Sequence, residues 1–370
     1  MKHKITAIIL LAFIVLLSAA AGIEFRKMKQ PDIIIPSNGL TGKFKLSRYF
    51  NGIAGSSGDT DVYLFDSGKP GASVLILGGT HPNEPAGFIA AVTLIENIKV
   101  DSGKIFIIPQ ACLSGFAVTD PMEALPQFFT LKSKSGFRNF RSGSRVSSPL
   151  DQWPDPLVYT HTSGQRLSGV ETRNLNRAYP GKTNGTFTEK AAYAIIKLIE
   201  TEKIDVSFDL HEAAPEIPII DAIVYHEKGE EIALNAVLEL ETEDLHYSPE
   251  KSPEKFRGLS HREWGDKTNT IPFLMETSNP IQGRLRGKTN EALLIQGVSE
   301  NYCAAKKSGK LRIQYDDEGE QLWRRVGRHL EGIKAILKSY NESGKGKRIV
   351  VFNSPSYEDL LTNGLEKYLN

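Results

Sequence analysis

Leu75-Ile76-Leu77-Gly78-Gly79-Thr80-His81-Pro82-Asn83-Glu84 is the stretch on which the reading of this chain turns. The apolar run 73–77 predicts a buried strand that stops at two glycines. A histidine and a glutamate then follow with two residues between them. With a helix opening at Pro85 and running to Ile98, the pair sits at i and i+3 just past a strand end. Open α/β sheets bind their ligands there. One imidazole and one carboxylate in that place can fill two positions of a zinc site, but an ordinary turn can also carry a polar pair facing water. The segment alone leaves both readings open, and a third ligand and a base must come from elsewhere.

Asp209-Leu210-His211-Glu212 closes a second apolar run that begins at Val206. His211, placed at the same kind of sheet edge as His81, completes a His₂Glu set of His81, Glu84 and His211. Three protein ligands leave one position open, which marks a catalytic rather than a structural zinc. The remaining histidines, His161, His226, His246, His261 and His329, stand in polar surroundings and read as surface or loop residues. A third apolar run, 270–275, delivers Glu276. A carboxylate straight after a buried strand suits a general base in a partly dry cleft, where burial raises its pKa towards neutrality. A plain strand-exit charge is the simpler reading of that residue taken alone. In Asn174-Leu175-Asn176-Arg177-Ala178-Tyr179-Pro180-Gly181, the adjacent amide and guanidinium of Asn176 and Arg177 can clamp a carboxylate, although Pro-Gly also signals an ordinary turn.

Composition narrows the class. The 370 residues are 40% hydrophobic and 24% charged with a net charge of +1, an ordinary globular make-up large enough for one α/β domain. No basic stretch with interleaved aromatics occurs, so nucleic acid is not an expected partner. Two cysteines, Cys112 and Cys303, exclude a disulfide scaffold and a cysteine zinc cluster. They are compatible with one disulfide or with two buried thiols.

Residues 1–23 stand apart. Met1-Lys2-His3-Lys4 is a short basic start, 5–23 carries no charge, and Ala19-Ala20-Ala21 offers a small-residue cleavage site. The uncharged run is also long enough to cross a bilayer uncleaved. Arg26, Lys27 and Lys29 make the second flank about as basic as the first, so charge does not choose an orientation. Export is the favoured expectation, by a cleaved signal or as an anchored periplasmic or secreted-side protein tethered through residues 5–23.

Beyond an extended lead-in over 24–58, a single catalytic domain is expected over 59–370. Strands are expected over 61–65, 73–77, 104–109, 206–210, 219–225, 270–275 and 348–352. Helices are expected over 85–98, 188–199 (capped by Thr188), 230–240, 290–306, 319–340 and 357–369. Strands alternating with helices imply an α/β fold, a mainly parallel sheet covered on both faces. The polar stretch 119–172 reads as an insertion. Oligomeric state has no signature in the sequence.

Four segments in this order resemble the zinc carboxypeptidase superfamily, most closely its succinylglutamate desuccinylase/aspartoacylase branch. They are His81-x-x-Glu84, the Leu-Asn-Arg-x-Tyr-Pro-Gly setting of Asn176-Arg177, His211 placed 127 residues after Glu84, and Glu276 after its strand. The resemblance runs over about 61–306. It implies a phosphorylase/hydrolase-like sheet and one Zn²⁺ per chain on His81, Glu84 and His211. Glu276 would be the base, Asn176 and Arg177 would hold a substrate carboxylate, and the reaction would be hydrolysis of an amide in an acyl amino acid or peptide.

The pattern departs from the family at three points. Asn174 stands where the family carries an aspartate behind the first histidine. The family's oxyanion arginine has no obvious counterpart: Arg166 is the first candidate and Arg173 the second, with Arg138, Arg141 and Arg145 also open. Residues after Lys306 read as helix, strand and helix rather than as the branch's C-terminal β-rich domain. Two other classes compete with an enzyme: an inactive zinc- or ligand-binding module on a peptidase-like fold, and a membrane-tethered partner protein without zinc.

Overall fold

The computed structural model describes residues 2–28, 30–119 and 125–370; Met1 of the expected N-terminal segment, Lys29, and residues 120–124 near the start of the expected insertion lie outside the described residues. The central sheet is built from β1 (Gly42–Lys45), β2 (Asp61–Asp66), β3 (Ser73–Leu77), β4 (Lys104–Ile108), β5 (Val206–Ala213), β6 (Ala222–Tyr225), β7 (Ser248–Lys251) and β8 (Ile271–Ser278). Their spatial order is β1-β2-β4-β3-β5-β8-β6-β7. The four central strands, β4, β3, β5 and β8, run parallel. β2 and β6 flank them antiparallel. The helices include α1 (Lys2–Met28), α2 (Pro85–Asn97), α3 (Phe187–Thr201), α4 (Glu230–Thr242), α5 (Ser260–Lys267) and α6 (Leu322–Glu342).

Strand alternation sorts the core into two layers. Val74, Ile76, Ile105, Ile107, Val206, Phe208, Phe273 and Met275 pack on one face with α2, α4 and α6. Leu75, Leu77, Phe106 and Ile108 face the other way, against α3 and Trp264 of α5. The second face is where Asp209, His211, Leu274 and Glu276 point, because they alternate with residues of the first. Chain direction then creates the crevice. β3 leads through α2 to β4 on one side, while β5 lies on its other side and leads on to β6 and β8. The β3/β5 boundary is therefore the switch point of the sheet.

Two glycines let the elements close up there. Gly79 has φ +64°, and a Cβ on it would meet Pro109 O at 2.8 Å. Gly87, in the first turn of α2, faces the Leu210 carbonyl so closely that a Cβ would lie 2.3 Å from it.

Several expected boundaries move. β5 and β8 each run three residues beyond their expected ends, so His211 and Glu276 lie within strands rather than after them. Helix α3 is capped by Thr186, not Thr188: Thr186 Oγ1 accepts from the Glu189 amide while Glu189 Oε2 accepts from the Thr186 amide. The expected helix 290–306 is two short helices, Glu291–Gln296 and Glu300–Lys307, separated at Gly297. The expected lead-in over 24–58 begins inside α1, which runs to Met28, and lacks helix and strand only from Gln30 to Thr41; from Gly42 the chain adds β1 to the sheet edge and buries Leu46 and Ile53. The insertion forms two hairpins, Phe128–Ser133 with Gly136–Arg141 and Val158–Thr160 with Arg166–Ser168. At the C-terminal end, Val350–Phe352 pairs with Lys99–Ser102. Cys112 and Cys303 are both buried free thiols. The described side chains of α1 are exposed, and this helix is long and apolar enough to cross a membrane.

Candidate metal centre

His81 and Glu84 sit in the turn between β3 and α2, where the Glu84 amide donates to the His81 carbonyl at 2.9 Å. Glu84 is the N-cap residue of α2, but its side chain does not cap the helix. The Ala86 amide is satisfied instead by Glu212 Oε2 at 2.8 Å, which leaves the Glu84 carboxylate to face the crevice. His211 reaches the same point from β5. Its Nδ1 lies 2.8 Å from Glu84 Oε2 and 3.1 Å from His81 Nδ1, and His81 Nδ1 lies 2.8 Å from Glu84 Oε1. All three side chains are buried, and the donor atoms fall within 4.8 Å of one another.

This donor set fits a zinc ion. Two nitrogens bound tetrahedrally at the usual Zn–N length stand ~3.3 Å apart, close to the 3.1 Å seen here. The other ring nitrogen of each histidine is also held, as ligand imidazoles require. His81 Nε2 donates to Asn174 Oδ1 at 2.9 Å, and Asn174 Nδ2 donates in turn to Glu171 Oε2 at 2.8 Å. His211 Nε2 lies 3.0 Å from Asp209 Oδ2, and Asp209 Oδ1 accepts from the Thr80 hydroxyl at 2.6 Å. The amide at 174 is thus backed by a carboxylate one step further out.

Electrostatics follows from this burial. Burial raises the Glu84 carboxyl, but the facing His81 and His211 overrule it and hold it well below the carboxylate range. His81 is pushed down to about 4 by burial and then by Arg145. Burial also disfavours charge on His211, yet Asp209 and Glu84 hold its pKa well above the ordinary value.

Glu276 stands opposite His211 in the parallel β5/β8 register, so both side chains leave the same face of neighbouring strands. Its Oε2 is shut off from water and has no hydrogen-bond partner. Burial first, and the like charge of Glu84 second, raise its pKa to about 8, against the pull of His211 and Arg145. Asn176 accepts from the Ser260 amide at 2.7 Å and places its Nδ2 3.4 Å from His211 Nε2. The Arg177 guanidinium stacks 4.9 Å over the Phe256 ring and lines the same cleft. That cleft has a volume of 790 Å³ and takes in His81, Glu84, His211, Glu276, Asn176, Arg177 and Arg145.

Arg166, the first candidate for the oxyanion, is not among them. It is exposed on the second hairpin of the insertion and does not line the cleft. Arg173 pairs with Asp155 at 2.7 Å, Arg141 with Asp32 at 2.8 Å and Arg138 with Glu96 at 2.8 Å. Arg145 is the candidate arginine that enters, with Nη1 2.9 Å from Glu84 Oε1. Four of the five histidines read as surface residues are buried, and only His246 is exposed. His261 lines the cleft itself. Asp209 was within reach of sequence reasoning, since i and i+2 on a strand share a face with His211. Arg145 was one of five candidate arginines in the sequence, and nothing local could choose it, because the insertion folds back in a way no local pattern signals.

No protein-family profile matches the sequence, and no curated protein does. Solved structures do resemble it. A metallo-carboxypeptidase from Burkholderia cenocepacia is 11% identical with a TM-score of 0.47, covering 83% of this chain and 66% of its own. A succinylglutamate desuccinylase from a Silicibacter species is 17% identical with a TM-score of 0.38, covering 59% and 53%. An aspartoacylase family protein from Mesorhizobium loti is 19% identical with a TM-score of 0.37, covering 60% and 56%. These are the groups that the motif order resembles. The chain spans between about half and two thirds of each of these structures.

Proposed function

We propose that this chain is a zinc-dependent amide hydrolase, a deacylase or carboxypeptidase, acting on an acyl amino acid or peptide that bears a carboxylate. The observation that carries this reading is the convergence of His81, Glu84 and His211 with Glu276 directly across the strand register. A zinc ion on the three ligands supplies Lewis acidity, lowering the pKa of a water and polarising the scissile carbonyl.

The protein's own residues do the rest. Glu276, half-buried beside His211, takes the proton of the attacking water as its oxygen bonds to the carbonyl carbon. The carboxyl returns that proton to the leaving nitrogen as the C–N bond breaks, giving a carboxylate and an amine. Its Oε2, buried without a hydrogen-bond partner, is free to take that proton and give it back. Arg145, rather than Arg166, faces the charge that develops on the carbonyl oxygen. Asn176 and Arg177 hold the substrate carboxylate, the guanidinium by a paired hydrogen bond. The exposed apolar α1 supports a location outside the cytoplasm, with the catalytic domain exported or tethered by that helix.

The test is hydrolysis of N-acyl amino acids and C-terminal peptide substrates by the zinc-loaded protein, beside Glu276→Gln. Turnover should fall by about 10²–10⁴-fold in the variant while zinc is retained. Equal rates would remove Glu276 from the reaction. Stoichiometric zinc with no hydrolysis would favour the inactive binding module.

A further inference from the structure

The segment that follows α1 is held firmly to the domain. Asp32 Oδ1 accepts from the Arg141 amide at 2.7 Å, and its Oδ2 accepts from Arg141 Nε at 2.8 Å and from Gln110 Nε2 at 2.7 Å. Both side chains of this ion pair are buried. The Ile35 amide donates to Glu96 Oε1 at 3.0 Å. Helix α1 ends at Met28, and from there to Asp32 the chain reaches at most ~14 Å. The uncharged part of α1 gives way to Glu24, Arg26 and Lys27 just before that end. A bilayer spanned by α1 therefore has its interface close to the surface around Asp32.

Hydrogen bonds lead from there to an exposed apolar loop. A short turn after Gln110, the Ser114 hydroxyl donates to Asp151 Oδ2 at 2.5 Å and accepts from the Ser148 amide at 2.9 Å. On either side of Asp151 the insertion presents Leu150, Trp153 and Leu157, which are 78%, 69% and 100% exposed, followed by the exposed Val158. Pro149, Pro154 and Pro156 stiffen this run and remove backbone donors that an apolar environment would leave unsatisfied. Its other acid, Asp155, is turned onto Arg173, with Oδ1 accepting from Nε at 2.7 Å and Oδ2 from Nη2 at 2.9 Å. Large apolar side chains scattered singly over a surface carry no message, whereas grouped ones mark contact with a membrane or another protein. A tryptophan among aliphatic side chains suits a bilayer interface, where the ring meets acyl chains and its N–H meets the headgroups.

Resting on the reading of α1 as a retained membrane anchor, we infer that the loop 149–158 is a second membrane contact, with Leu150, Trp153 and Leu157 seated in the lipid interface beside α1. The occupant is lipid because α1 brings a bilayer to this part of the surface. Two attachments, the strapped end of α1 and this loop, hold the domain in one orientation on the membrane. The loop also belongs to the insertion that carries Arg145 into the metal cleft, so the membrane contact steadies that insertion.

The experiment reconstitutes the full-length protein into phosphatidylcholine vesicles with and without bromine on the acyl chains and reads tryptophan emission. The chain has three tryptophans, none of them in α1. Trp264 is fully buried and Trp323 is partly buried against the core, so lipid contact through the loop quenches Trp153. Expected is loss of the emission of one tryptophan in three for wild type and none for Trp153→Phe. The double change Leu150→Ser with Leu157→Ser should reduce the quenching while circular dichroism stays that of wild type. Equal quenching of wild type and Trp153→Phe, or quenching of neither, in a protein that resists extraction by alkaline carbonate would overturn the loop contact and leave the anchor standing. Extraction of wild type by carbonate would overturn the anchor, and the inference with it. An unquenched Trp153 whose emission shifts as the protein dimerises with concentration would assign the loop to a second copy of the chain and overturn the inference.

Discussion

Replacing Asp209 by asparagine isolates what the buried carboxylate behind His211 does. Asp209 is fully buried, with one oxygen on the Thr80 hydroxyl at 2.6 Å and the other 3.0 Å from His211 Nε2. Asparagine keeps the shape but removes the charge, and with its oxygen on His211 Nε2–H its amide can donate to the Thr80 hydroxyl in place of the present bond. The carboxylate does two things for His211: it orients the ring so that Nδ1 faces Glu84, and it makes that nitrogen more basic towards a cation. Groups in this position are worth about 10–100-fold in metal affinity, which is ~1.4–2.7 kcal/mol. The loss should fall towards the lower end, because asparagine can still orient the ring, as Asn174 does for His81. Zinc affinity is measured by competition with a chromophoric chelator at constant pH, with circular dichroism to establish that the variant is folded. A folded Asp209→Asn protein whose zinc affinity lies within about 2-fold of wild type would refute the reasoning. At position 174 an aspartate alone would set its second oxygen against Glu171 Oε2, which now accepts from Asn174 Nδ2 at 2.8 Å, so Asn174→Asp combined with Glu171→Gln is the change that should tighten zinc binding by the same mechanism.

Arg145→Gln should lower kcat by about 10²–10³-fold, the usual cost of losing a group aimed at the developing oxyanion, whereas Arg166→Gln should change nothing; the opposite ranking would restore Arg166 to the site. Glu276 predicts a pH effect on the metal-free protein. Its folded pKa of about 8 lies above the ordinary 4.5, so its contribution to stability is complete below 4.5 and is lost as pH rises through 8. Urea unfolding at pH 5 and pH 8.5 should therefore show wild type losing more stability than Glu276→Gln, and parallel losses would count against the shift. Arg325 and Glu212 form an ion pair at 2.5 Å with both side chains fully buried. Glu212 also accepts from the Ala86 amide at the start of α2. Arg325→Met should destabilise the fold by about 3–5 kcal/mol, since it leaves an unpaired buried carboxylate; a midpoint unchanged in denaturant would show that Glu212 is neutral in the folded state.

The sequence by itself determined the elements whose signal is local. The run Ser73–Leu77 became the strand read from it, and the expected helix opening at Pro85 begins there. His81, Glu84, His211 and Glu276 could be singled out because each follows or ends an apolar strand, and a strand end at an α/β sheet edge is a defined place. Strand length was another matter. His211 to Ala213 and Glu276 to Ser278 are too polar to look like strand, and only ladder pairing between β5 and β8 holds them extended. That pairing sets Glu276 against His211 rather than a turn away from it. The choice of Arg145 among the candidate arginines and the burial of His261 belong to tertiary structure in the same sense. An arginine in a polar insertion looks like any solvated arginine until the insertion folds over the β3/β5 crevice. A histidine in Ser-His-Arg-Glu reads as surface until α5 turns it against the sheet. Which amides can be cut is decided there, because burial and neighbouring charge act through space and leave no periodicity in the chain.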